Sequence, residues 1–163
     1  MSLVDEDERD PAAIAVGIDA ARDRLIAFTD TCREDHWRSA PLDGDPRPVA
    51  LVVDHVADSY EYLAGWIREM LAGQPVDVTG EVVDGLNAEH ASRAAGISQA
   101  DAIEHLRRSG AAISALVAGL SPGDLDAGDG RVRRFAQIAI RHADIHRGEI
   151  ESALAAPGTP AVS

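Results

Sequence analysis

Apolar positions along the chain recur every three or four residues, and no stretch alternates with the period of two that marks a half-buried strand. Behind Asp10-Pro11, the residues Ile14, Ile18, Ala21, Leu25 and Phe28 share one helical face. Asp10 is placed to cap this helix and Pro11 suits its first position. The helix is predicted to end near Cys32, and residues 34–46, with Asp35-His36-Trp37 inside them, read as a loop. A second helix is predicted from about Pro48 to Ala72, where Gly73 and Pro75 stop it. Val52, Val56, Ser59, Leu63, Trp66 and Met70 form its buried stripe. A shorter helix is expected from about Asp84 to Ala95. Ser98, three residues before Asp101, signals the cap of the next long helix. That helix carries Ile103, Leu106, Ile113, Leu116, Val117 and Leu120 and breaks at Ser121-Pro122-Gly123. The stretch to Gly130 reads as a loop. A last helix is predicted from about Val132 to Ala156, closed by Pro157-Gly158, with residues 159–163 frayed.

Four long helices of about 22–25 residues with a short extra helix after the second suit an all-α four-helix bundle. The chain has 163 residues, which fits a single domain, with an ordered core expected over residues 11–156. Hydrophobic residues make up 45% and aromatics only 4%, so one core is affordable and it must be aliphatic. All 15 basic residues are Arg, against 28 Asp and Glu, for a formal charge of −13. So acidic a chain repels phosphate backbones and anionic lipid, which argues against nucleic-acid and membrane-surface partners. No apolar run approaches the ~20 residues that span a bilayer. The acidic first ten residues do not resemble a signal peptide, so a cytoplasmic protein is expected. The single cysteine, Cys32, excludes an internal disulfide or a thiolate-cluster metal site.

The candidate chemistry lies in the six histidines. His142 and His146, four apart on the last helix, share a face, with about 5–6 Å between their Cβ atoms. They fall in the buried spacing of Phe135, Ile138, Ala139, His142, His146, Glu149 and Ala153. His55 lies on the buried stripe of the second helix. Three neutral imidazoles with open positions are a ligand set for a catalytic divalent metal such as zinc, nickel or iron. The alternative is three core histidines bonded to carboxylates. Glu149, on the face of His146, could be a hydrogen-bond partner of that ligand, a fourth ligand or a general base; Asp58, three residues after His55, has the same choices. Asp54 and Asp144 point away from the stripe and are expected to be solvated. His36, His90 and His105 are expected to be structural or exposed, although a helix inserted at the bundle end could bring His90 over a metal site. Arg141 and Arg147 flank the histidine pair and could meet an anionic substrate group.

These residues resemble the DinB/YfiT-like superfamily. The resemblance rests on His55 within its apolar helix and on His142-x-x-x-His146-Arg147-Gly148-Glu149-Ile150, where the family usually has Gln in place of Glu149. It runs from about Pro11 to Ala156. It implies a four-helix bundle holding a metal at His55, His142 and His146. The family includes maleylpyruvate isomerase acting with mycothiol and transferases that use bacillithiol or mycothiol. It therefore implies a metal-dependent transferase or isomerase that takes mycothiol or another low-molecular-weight thiol and a small electrophilic substrate, and it allows a homodimer. The competing readings are a metal-dependent hydrolase and a non-catalytic metal- or ligand-binding stress-response bundle or dimerisation module.

Overall fold

In the computed structural model, residues 7–156 are described, so the fraying expected of residues 159–163 and most of the acidic N-terminus lie outside them. Helix α1 (Pro11–Thr31) begins where the Asp10 carboxylate accepts from the Ala12 amide, with Pro11 in the first turn, and buries Ile14, Ile18, Ala21 and Leu25. The segment expected to be a loop contains a five-residue helix, α2 (Glu34–Arg38). Its Trp37 is fully buried and donates through Nε1 to the Ile97 carbonyl at 3.1 Å. Helix α3 (Val49–Leu71) follows, then α4 (Gly80–Arg93), which starts four residues earlier than its apolar pattern implies because the Thr79 hydroxyl caps it through the Val82 amide. Helix α5 (Gln99–Ala118) is capped by Ser98, whose hydroxyl accepts from the Asp101 amide at 3.1 Å.

The connection to the last helix is more ordered than a loop. A 3-10 turn spans Asp124–Asp126 and α6 spans Ala127–Ala155. Gly128, Asp129 and Gly130 have left-handed backbone, with φ of 62°, 57° and 80°, so the continuous right-handed helix starts at Arg131. Glycine at 128 is required twice over: φ is positive, and a Cβ there would sit 3.0 Å from Met70 Sδ.

The four long helices α1, α3, α5 and α6 form the bundle. Helices α1 and α3 each pack against both α5 and α6, which puts α1 and α3 at opposite corners. The core is aliphatic, with Ile18, Leu25, Ile67, Leu106, Ile113 and Ile150 fully buried. At Gly17 an added Cβ would lie 2.7 Å from Ile140 Cδ1, so α1 and α6 approach closely there. The α3–α6 pair runs antiparallel: His55 meets His142 near one end, and Trp66 meets Phe135 towards the other. Ile138, placed by spacing on the buried stripe of α6, is 36% exposed. Among the described residues no helix is long and apolar enough to cross a membrane.

Candidate metal centre

Helix α3 is buried on every side over residues 52–60, because α5 and α6 flank it and α4 touches it as well. This run presents His55, 5% exposed, to α6. His142 and His146 approach from one face of α6. The three Nε2 atoms converge: His55 to His142 is 3.2 Å and His142 to His146 is 2.8 Å. All three potential ligand atoms lie within 4.8 Å of one another.

The protons on these rings follow from their outer neighbours. Ser59 Oγ donates to the Val56 carbonyl at 2.6 Å. A hydroxyl has one proton, so towards His142 Nδ1, 3.1 Å away, Ser59 can only accept. His142 therefore carries its proton on Nδ1 and turns the Nε2 lone pair to the cluster. Glu149 Oε2 lies 3.5 Å from His146 Nδ1, too far for a good hydrogen bond but close enough for the carboxylate to favour a proton there. The Nε2 lone pairs of His142 and His146 then face each other at 2.8 Å. His55 Nε2–H can satisfy one of them, not both, and His55 Nδ1 is itself buried without a partner among the described residues.

Extra protons do not relieve the conflict. Burial lowers the proton affinity of His55 to a pKa of about 3, with His142 and His146 adding to the effect. Burial first, then His146, lowers His142 to about 4. His146 is lowered for the same first reason, although Glu149 opposes the shift. Three neutral nitrogen donors aimed at one point are what a divalent metal takes. Nitrogens held at 2.0–2.1 Å in tetrahedral geometry lie about 3.3–3.4 Å apart, so the 2.8 and 3.2 Å pairs would open slightly and the widest pair, within 4.8 Å, would close. The cluster fits a metal ion and could hold one.

Sequence reasoning placed the three imidazoles together and missed much of what surrounds them. Asp54, expected to be solvated, is 2% exposed. It accepts from His90 Nε2 and His105 Nδ1, each at 2.8 Å. His105 in turn reaches Glu61 at 3.0 Å. Neither His90 nor His105 faces solvent: His90 is 2% exposed and the His105 side chain 15%. The His90 ring lies 6.0 Å from that of His55 between centroids, so the inserted helix does reach the imidazole cluster. These charge-assisted bonds hold Asp54 ionised, with a pKa of about 2 despite its burial. Asp144, also expected to be solvated, binds Arg24 through two bonds of 2.9 and 2.7 Å.

Asp58 pairs with Arg93 of α4 at 2.6 Å, and its carboxyl is pushed up by burial. It makes no hydrogen bond to the three imidazoles among the described residues. Arg147 is taken up by Glu151 and Asp144. Arg141 turns away from the cluster into a cleft of about 580 Å³ between the start of α1 and α6, which it lines with Ile14, Gln137 and Ile140. The cation that does act on the site is Arg47, in the segment before α3. It disfavours protonation of all three imidazoles and is clamped by Asp45, with Nη2 2.8 Å from Oδ2. A loop arginine carries no periodic signal, so nothing in the sequence pattern marked it.

No curated protein and no solved structure matches the chain. The sequence profile of the DinB superfamily matches residues 18–150, which takes in α3, the inserted α4 and all three imidazoles. The chain, an all-α bundle with a three-histidine cluster able to hold a metal, belongs to the DinB superfamily.

Proposed function

We propose that the protein is a metal-dependent enzyme in which His55, His142 and His146 hold a divalent ion of the zinc or nickel kind. It would use a low-molecular-weight thiol, mycothiol or a relative, for transfer to or isomerisation of a small electrophile. The observation that carries this reading is the convergence of the three Nε2 atoms, with that of His142 3.2 Å from His55 and 2.8 Å from His146. Bound there, the ion would supply a Lewis acid with an open position that lowers the proton affinity of an incoming thiol.

The chain's own residues do the rest. Ser59 fixes the tautomer and tilt of His142. Glu149, half exposed and 3.5 Å from His146 Nδ1, would take a proton from the site to solvent. The protein offers no thiol of its own for the task. Cys32, its sole cysteine, has its thiol pushed up by burial and by Asp35 and Glu34, which makes it a poor nucleophile. Under this reading the thiol comes from outside.

The test is consumption of mycothiol, bacillithiol or glutathione with 1-chloro-2,4-dinitrobenzene by metal-loaded protein. At least one thiol is expected to react well above the uncatalysed rate. His142→Ala should abolish the acceleration. Metal-loaded protein that accelerates none of the three contradicts the thiol reading.

A further inference from the structure

Helical spacing continues the imidazole cluster into an aromatic strip. On α3, Tyr62 and Trp66 lie 7 and 11 residues beyond His55, within about 20° of its direction at 100° per residue. On α6, Phe135 and Arg131 lie 7 and 11 residues before His142, and the same arithmetic holds. The two helices run antiparallel, so these side chains meet along one seam. The Tyr62 and Trp66 rings are 4.9 Å apart between centroids, and those of Trp66 and Phe135 5.7 Å. The Arg131 guanidinium stands 5.4 Å over the Phe135 ring. Three of the chain's six aromatic residues therefore sit on the one seam that carries the imidazoles.

Two features set this strip apart from ordinary core packing. Tyr62 and Trp66 are only half-buried, whereas Trp37 and Tyr60 are fully enclosed. Arg131 is half-buried, donates to the Val76 carbonyl at 2.9 Å and forms no ion pair among the described residues. In so acidic a chain most partly buried arginines have a carboxylate partner. A stacked, unpaired guanidinium at the end of an aromatic wall presents both parts of a site for a flat anion.

We infer that the α3–α6 seam is the substrate-binding wall of the metal centre and that it takes an extended aromatic or conjugated acid. The flat body lies on the half-buried Tyr62 and Trp66, backed by the buried Phe135, the anionic end meets Arg131, and the other end points to the three imidazoles about 10–16 Å away along α3. This names the substrate class of the site under the reading above and so rests on it. Burial and the nearby Asp58 push the Tyr62 phenol up to about 12, so it stays protonated.

The experiment is equilibrium dialysis of 4-nitrocinnamate, a flat conjugated acid, and of its neutral counterpart 4-nitrocinnamamide. Both are run against wild type, metal-loaded and metal-free, and against three variants. Wild type should bind one 4-nitrocinnamate per chain. Trp66→Leu should weaken binding at least about tenfold. Arg131→Gln, which leaves the apolar packing in place, should weaken the acid about tenfold and the amide less than about twofold. His55→Ala should lose metal and still bind the probe, so failure of the metal reading shows in the metal content and failure of the seam in the dialysis. Absence of saturable binding in both forms of wild type overturns the inference. So does equal weakening of acid and amide in Arg131→Gln, which decides the matter if Trp66→Leu does not fold by circular dichroism.

Discussion

Asp54 joins three helices with one side chain. Its two oxygens accept from His90 of α4 and His105 of α5 while its backbone sits in α3 beside His55. Replacing it leaves two imidazoles without their shared acceptor, so Asp54→Ala should destabilise the fold by about 2–4 kcal/mol, read by urea unfolding. The pH dependence follows from the same residues. Asp54, depressed to about 2, contributes stability that is present above its unfolded pKa of 3.8 and lost as pH falls towards 2. His55 and His142 are depressed from 6.5 to about 3 and about 4. In metal-free protein the unfolded chain takes up these protons first, so stability falls as pH drops below 6.5. The slope approaches about 1.4 kcal/mol per pH unit for each imidazole. His105, raised by its bonds to Asp54 and Glu61, offsets part of this fall, and denaturation of metal-free protein at pH 7 and pH 5 checks the net sign; higher stability at pH 5 than at pH 7 would contradict the buried neutral imidazoles. The burial of Asp54 was legible in one respect that the stripe argument overlooked. From Val49 to Tyr60 the chain is apolar nearly all round, and a helix apolar on every side is buried on every side. Its few polar residues, Asp54 among them, then need partners inside.

At the level of elements, the caps were legible and the short pieces were not. Asp10 and Ser98 close helix starts as their spacing to free amides requires, and Gly73, with φ of 74°, ends α3 where expected. Helix α2 has five residues, too few for a periodicity, and owes its place to Trp37 and to Val49, whose amide reaches the Ser39 carbonyl at 2.8 Å. Helix α4 is held differently from the bundle helices. His90 is its one buried residue, and the His90–Asp54 and Arg93–Asp58 contacts fasten it. His90→Ala should therefore raise amide hydrogen exchange across residues 80–93 while α1 and α5 keep their protection. Exchange that rises uniformly over the chain would show that α4 is part of the core. Gly128→Ala should lower stability by about 1–2 kcal/mol through the left-handed backbone and the approach of Met70. Thermal unfolding measures it.

For the whole molecule, the order of packing explains why the site forms where it does. Helices α3 and α6 are neighbours, and one imidazole from the first meets two from the second at a single point. Periodicity could put each histidine on an inward face; which inward faces meet depends on the corner each helix occupies, and no single-helix pattern contains that. The resemblance of His142-x-x-x-His146-Arg147-Gly148 to a known superfamily supplied it. An anisotropy titration with a labelled DNA duplex at physiological salt should show no binding. The central claim is that the three convergent imidazoles hold one divalent ion. Elemental analysis of protein purified without a histidine tag should give about one zinc- or nickel-class ion per chain, with less than a tenth of that in His142→Ala and in His55→Ala, both folded by circular dichroism. Wild-type protein that takes up no divalent metal even after incubation with zinc and nickel, or variants that retain it in full, would contradict the account.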